Sequence, residues 1–132
     1  HEAIYARHPD IQCVMTAQCP NATAYAITAT DFDSRTIPES FIMLREVPII
    51  PFNTLYMEPN EVAAFVSLRR PVLLVQNDCV LTVGTDILNA FDRLEVLEYS
   101  AQSLIDTAVL GRLVPIGDAE ILELKRMFGL SE

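Results

Sequence analysis

Residues 71–102 read PVLLVQNDCVLTVGTDILNAFDRLEVLEYSAQ and carry the strongest structural pattern in the chain. Two apolar segments, VLLV and CVLTV, flank the polar tripeptide 76–78, which predicts two strands joined by a tight turn. From residue 86 to residue 110, apolar side chains recur at helical spacing, which predicts a long helix with one face in the core. That stripe consists of Ile87, Ala90, Phe91, Leu94, Leu97, Ala101, Leu104, Ile105 and Ala108. Gly111 is placed to end the helix in the left-handed conformation.

The N-terminal segment predicts a helix followed by a strand. HEAIYAR is helix-like and meets a Pro-Asp pair that stops helical propagation, and IQCVMTAQ at 11–18 then reads as a strand. Because side chains alternate across a strand, we expect Val14, Thr16 and Gln18 to share one face. The odd-numbered residues between them should occupy the other face.

Prolines divide the middle of the chain. A short helix is expected around NATAYAITA at 21–29, and Pro38 is well placed to open the helix PESFIMLRE. VPIIPF at 47–52 is a strand candidate, and its prolines favour a sheet edge or a strand end because proline cannot donate a ladder hydrogen bond.

Two further helices are predicted from capping residues. Asn60 is expected to cap a helix through residue 70, with Arg69 and Arg70 near its negative C-terminal end. Asp118 is expected to cap a short terminal helix that stops at Gly129. Strands and helices alternate without a low-complexity linker, so we expect one α/β domain over residues 1–132.

Composition narrows the possible classes of function. The 132 residues are 51% hydrophobic and 20% charged, which is typical of a globular domain, and no apolar run approaches the roughly 20 residues of a membrane span. A net charge of -9, with no basic cluster beyond the pair Arg69 and Arg70, argues against nucleic-acid binding.

Three cysteines without CxxC spacing indicate reduced thiols and a cytoplasmic location. The polar start at His1 suggests that the chain begins inside a larger protein.

Three stretches, in order and spacing, resemble the class II aldolase and adducin family, which includes fuculose-phosphate and ribulose-phosphate aldolases or epimerases. They are HEAIYARHPDIQCVM, VPIIPF and residues 71–102. The resemblance implies a three-layer αβα sandwich with a mixed, largely antiparallel central sheet. It covers the C-terminal two thirds of such a domain, so the N-terminal third, with its phosphate loop and a catalytic glutamate, is missing here.

The resemblance also implies where a zinc site would lie. Family members hold zinc with His-x-His at the end of the first strand and with the histidine of Asn-His-Gly. Thr16, Gln18 and Asp78 stand at these positions, and Cys79 replaces the glycine. Neutral hydroxyl and amide groups are poor zinc ligands, and one carboxylate cannot replace three imidazoles. We therefore assign no catalytic, cofactor-binding or metal-binding residue and expect no cofactor. A calcium or magnesium site on the same three residues would need about six oxygen ligands.

The remaining reactive side chains have structural interpretations. His1 and His8 flank the first helix, and surface exposure or local hydrogen bonding is expected of them. Cys79 has no histidine nearby in sequence, and the neighbouring Asp78 should raise its pKa, so a buried structural thiol is expected.

Three functions stay open at this point. The first is a non-catalytic domain that supports assembly through self-association or a sister aldolase-like domain. The second is a metal-dependent sugar-phosphate aldolase or epimerase, a lyase, completed by residues outside the chain, with a sugar phosphate as ligand of the parent protein. The third is a small-molecule sensor that uses the pocket around Thr16, Gln18 and Asp78.

Overall fold

A computed structural model describes residues 1–130, so the last two residues of the predicted domain lie outside the described part. The elements, in chain order, are α1 Glu2–Arg7, β1 Cys13–Ala17, α2 Pro20–Ala26, α3 Pro38–Leu44, β2 Ile49–Ile50, α4 Thr54–Met57, α5 Pro59–Phe65, β3 Val72–Val75, β4 Val80–Gly84, α6 Ile87–Leu110 and α7 Asp118–Met127. No helix among the described residues is long and apolar enough to cross a membrane.

The central sheet has four strands in the order β1-β4-β3-β2. β4 pairs antiparallel with β1 and with β3, whereas β2 runs parallel to β3. The sheet is therefore mixed and largely antiparallel, as the resemblance implied. β2 lies at the edge, which confirms the interpretation of its flanking prolines.

Helices cover both faces of this sheet. One core cluster joins the sheet to α2, α3 and α6, and Met15 and Ala17 of β1 pack against it. The other joins the sheet to α1 and α5, and it contains Val14. The predicted alternation along β1 and the three-layer αβα architecture are both confirmed.

The long helix α6 begins where predicted, because the side chain of Asp86 accepts a hydrogen bond from the backbone nitrogen of Asn89 at 2.8 Å. Its predicted core stripe is too long, however. Ile87, Phe91 and Ile105 are 67%, 44% and 37% exposed. A helix of 24 residues spans roughly 36 Å, whereas a strand of five residues spans about 17 Å, so both ends of α6 overhang the sheet. Phe91 lies on the flank of the stripe.

The helix α5 is shorter than predicted. It starts with Pro59 at its first position and ends at Phe65, so Asn60 lies inside the first turn and does not cap it. The chain then reverses at Ser67, whose backbone exchanges hydrogen bonds of 3.1 and 3.2 Å with Arg70. Arg69 and Arg70 consequently lie in a turn and not at the end of a helix.

Three glycines lie at the ends of the last two helices, and two of the predictions for these ends are wrong. Gly111 follows α6 at φ 156 and ψ -145, which is not the left-handed conformation that was predicted. Gly117, not Asp118, is the capping residue of α7, and Asp118 is its first helical residue. Gly129 adopts φ 62 after α7, as expected of a left-handed stop.

Candidate functional site

The pairing of β1 with β4 brings the three predicted positions to one end of the sheet. Thr16 pairs with Leu81 across the two strands, and Leu81 follows the β3–β4 turn by three residues. Just beyond β1, the side-chain amide of Gln18 donates a long hydrogen bond of 3.5 Å to the backbone oxygen of Asp78. Thr16 and Gln18 are exposed and Asp78 is half-buried. The structure thus brings the side chain of Gln18 to the backbone of Asp78, with Thr16 two residues earlier on β1.

The β3–β4 turn is held firmly on several sides. The backbone nitrogen of Asp78 donates to the oxygen of Val75 at 3.0 Å, and Asn77 adopts φ 56, a left-handed conformation that asparagine tolerates. The backbone nitrogens of Gln76 and Asn77 donate to strand β2 and helix α2, at 2.9 Å each. Because the positive φ falls on Asn77, the turn accepts the side chain of Cys79 without strain.

The Cys79 thiol packs in the interior at 7% exposure, which confirms the expected buried cysteine. Burial, together with the negative charge and hydrogen bond of Asp78, raises the pKa of Cys79 to about 11. A raised pKa keeps the thiol protonated near neutral pH, which disfavours a role for Cys79 as a nucleophile.

Glu98 fixes the loop that follows Gln18. Its Oε1 accepts hydrogen bonds of 2.8 Å from both the backbone and the side-chain nitrogen of Asn21, and its Oε2 accepts one of 3.0 Å from the backbone of Ala22. These backbone groups belong to the first turn of α2, where a carboxylate is favoured by the unpaired N–H groups. Burial and Glu98 also raise the pKa of Cys19, which precedes α2.

Sequence reasoning missed this contact. The partners lie 77 and 76 positions apart, so no local spacing points to it. The two histidines lie elsewhere. His1 precedes α1, and the Nε2 of His8 lies 2.6 Å from the backbone oxygen of Ala63 on α5.

The donor set at the end of β1 does not fit the zinc that the family resemblance implies. Structural and catalytic zinc sites use thiolate, imidazole and carboxylate ligands, at least three of them from the protein. Thr16 and Gln18 contribute a hydroxyl and an amide, which leaves Asp78 as the one suitable ligand. Among residues 1–130, no group of three or more His, Cys, Asp or Glu side chains is placed to hold a metal ion.

Residues 1–105 match the family described as "Class II Aldolase and Adducin N-terminal domain". The chain therefore belongs to the class II aldolase and adducin family. A comparison with curated protein sequences gave no match.

Solved structures share the fold at low sequence identity. An aldolase II superfamily protein from Pseudomonas syringae superposes with a TM-score of 0.77 and 20% identity, over 96% of this chain and 52% of that one. YgbL from Escherichia coli gives 0.79 and 20%, over 93% and 61%. L-fuculose 1-phosphate aldolase from Glaciozyma antarctica PI12 gives 0.77 and 20%, over 98% and 51%. The chain thus spans between half and three fifths of the length of these relatives.

Proposed function

We propose that this chain is a non-catalytic class II aldolase-like domain that supports the assembly of a larger protein. The observation that carries the proposal is the donor set at the end of β1 and in the β3–β4 turn. A hydroxyl, an amide and one carboxylate stand there, where the family resemblance implies three imidazoles. The strands that carry these side chains keep the class II aldolase fold.

The chemistry of aldol cleavage explains why that difference matters. Breaking the carbon–carbon bond leaves negative charge on an enediolate, and in this family a bound metal ion stabilises that charge. Thr16 and Gln18 carry no positive charge, and the carboxylate of Asp78 would repel a developing anion at close range. A bound metal ion supplies several kcal/mol of such stabilisation, and each 1.36 kcal/mol changes a rate about tenfold. We therefore expect cleavage without the metal ion to be slower by orders of magnitude.

Exposed apolar side chains support a role in assembly. Phe52, Tyr56 and Met57, which we call the α4 patch, are 62%, 70% and 72% exposed. They follow β2, which lies at the edge of the sheet. Exposed apolar side chains beside a sheet edge favour a protein–protein contact. The α4 patch is the surface that we assign to self-association or to a sister aldolase-like domain.

The assembly role is tested by measuring mass in solution. Light scattering after size exclusion should give a mass above that of one chain, and Tyr56→Ser with Met57→Ser should reduce it toward one chain. Asn60→Ser, at a nearby exposed position, is the matched control and should leave the mass unchanged. If the variant with both serine substitutions formed an assembly of the same mass as the native chain, the assignment of the α4 patch to assembly would be wrong.

The competing function is a sugar-phosphate lyase completed by residues outside this chain. Two observations support this alternative. The chain belongs to the family, and it spans only about half the length of the fuculose-phosphate aldolase that it matches. An aldol-cleavage assay of the full-length parent protein on L-fuculose 1-phosphate with added Zn²⁺ separates the two, with the Glaciozyma antarctica aldolase as positive control. We expect no turnover above the zinc blank. Turnover that EDTA abolishes would overturn the non-catalytic proposal.

A sensor pocket is the weaker third candidate. Thr16 and Gln18 are exposed, whereas ligand pockets bury most of a small molecule. This exposure favours assembly over ligand sensing at Thr16, Gln18 and Asp78.

A further inference from the structure

Four basic side chains surround one cavity at the end of the sheet opposite the β3–β4 turn. The cavity has a volume of about 540 Å³, and its lining includes Arg45, Arg69, Arg70 and Lys125. The whole chain has nine lysines and arginines and a net charge of -9, so this is a local reversal of charge. The sequence predicted no basic cluster beyond Arg69 and Arg70, because Arg45 and Lys125 are distant along the chain. We call these four residues and their cavity the basic cavity.

A tight turn presents two of the arginines. The hydroxyl oxygen of Ser67 accepts hydrogen bonds from the backbone nitrogens of Arg69 and Arg70, at 3.2 and 3.1 Å. The guanidinium of Arg70 lies 4.7 Å from the centre of the Phe65 ring, in a cation–π contact. The turn just before β3 therefore has a fixed shape, which limits the entropy lost when a ligand binds.

Arg45 enters the basic cavity from the loop between α3 and β2. Its backbone adopts φ 55 and ψ -123, a conformation that side chains rarely adopt. The backbone nitrogen donates to the oxygen of Phe41 at 2.9 Å, and the backbone oxygen accepts a hydrogen bond from the hydroxyl of Ser34. The surroundings thus hold Arg45 at this corner despite its unusual backbone.

Helix α7 supplies the fourth cation and part of the wall. After the helix, Gly129 takes φ 62, and the backbone nitrogen of Leu130 donates to the oxygen of Lys125 at 2.8 Å. This is the bond of a Schellman motif, which folds the chain back over the last turn. Leu130 is consequently buried at 8% exposure and lines the basic cavity together with Lys125.

Positive charge is crowded in this region. Burial and the nearby Arg69 lower the pKa of Arg45, and burial and Arg45 lower the pKa of Arg93, which lies on α6. Among residues 1–130, Glu46 is the acidic side chain in the lining of the basic cavity. The lowered pKa values of Arg45 and Arg93 indicate repulsion between neighbouring cations, which a bound anion would reduce.

We propose that the basic cavity binds a small phosphate-bearing molecule. The planar fork of arginine matches two oxygens of a phosphate, and lysine adds a point charge. A volume of about 540 Å³ suits a small molecule, and the acidic remainder of the surface repels anions, so they concentrate here. This site is independent of the proposed assembly role and lies at the other end of the sheet from Asp78.

Titration calorimetry with inorganic pyrophosphate tests the proposal. We expect saturable binding that weakens as salt is raised. Lys125→Gln should weaken the affinity about tenfold, as loss of a charge-assisted hydrogen bond does. Arg126→Gln removes the same charge from the next, exposed residue of α7 and should change the affinity less than about twofold. Lys125→Arg keeps the charge and should retain binding.

Two results would overturn the proposal. One is the absence of binding to the native protein up to about 10 mM pyrophosphate, the weak limit of useful affinity. The other is an equal loss in Lys125→Gln and Arg126→Gln, which would indicate a general charge effect. Circular dichroism checks that each variant is folded. If Lys125→Gln does not fold, the binding of pyrophosphate by Lys125→Arg still tests the proposal, because this variant keeps the charge.

Discussion

Glu98 Oε1 accepts a hydrogen bond of 2.8 Å from the backbone nitrogen of Asn21, which joins the middle of α6 to the first turn of α2. The loop between β1 and α2 carries Gln18, so this carboxylate determines where the chain leaves the sheet beside the candidate site. The contact is structural, since the carboxylate is occupied by the backbone nitrogens of Asn21 and Ala22.

We predict that Glu98→Ala lowers the free energy of unfolding by about 2–3 kcal/mol, because two backbone N–H groups lose a charged acceptor. Glu98→Gln keeps one acceptor oxygen and should lower it by roughly half as much. Glu95→Ala, at an exposed position of the same helix, is the control and should change it by less than about 0.5 kcal/mol. Urea unfolding measures all three, and equal losses at positions 95 and 98 would contradict the role given to Glu98.

The raised pKa of Cys79 predicts a loss of stability in alkaline solution. Its pKa is about 11 in the folded chain against an ordinary value of 9.0, so the folded state holds the thiol proton more tightly. As pH rises from about 9 to about 11, the unfolded chain releases this proton first, and the free energy of unfolding falls. Below about pH 9 both states are protonated and the contribution is constant.

Urea unfolding of the native chain and of Cys79→Ala across this range measures the effect of that thiol. The variant should lose less stability than the native chain between about pH 9 and about pH 11. Tyr25 also has a pKa raised by burial, so the comparison of the two slopes, and not the slope of the native chain alone, isolates Cys79. Parallel curves for the two proteins would show that the thiol ionises alike in both states.

Gly84 is predicted to be intolerant of a side chain. A Cβ atom built there would lie 2.5 Å from the backbone nitrogen of Ala90. The backbone at the start of α6 would have to move to make room for it. We expect Gly84→Ala to lower the free energy of unfolding by about 2–3 kcal/mol through overpacking. In Gly117→Ala the new atom meets only the mobile end of Glu120, so a loss below about 1 kcal/mol is expected. Thermal unfolding ranks the two, and the reverse order would contradict the close approach.

The parts of the fold that the sequence predicts well are those with a strong local pattern. The strands β3 and β4, their turn and the start of α6 follow from runs of apolar residues, turn residues and the Asp86 cap, all within 20 positions of one another. The exposed ends of α6 were not predictable, because periodicity gives the buried face of a helix but not the length of sheet beneath it. The helix α4, which has four residues, has no periodic pattern to detect.

The candidate site, like the fold, was predictable from the sequence only in part. Its three positions were found from the family resemblance, and the structure brings Gln18 and Asp78 together, while their correspondence to zinc ligands stays a prediction. Glu98 and the basic cavity depend on contacts between distant segments, so neither has a local signal. Arg45 and Lys125, for example, lie 80 positions apart and meet only because α3 and α7 pack together.

The zinc content of two proteins tests the central claim most directly. The native chain and the variant Thr16→His, Gln18→His, Asp78→His are loaded with Zn²⁺, desalted and analysed by mass spectrometry of the metal. We predict less than about 0.1 zinc per native chain and close to one per variant chain, because three imidazoles on one face complete a site that neutral oxygen ligands cannot. One tightly held zinc per native chain would contradict the account.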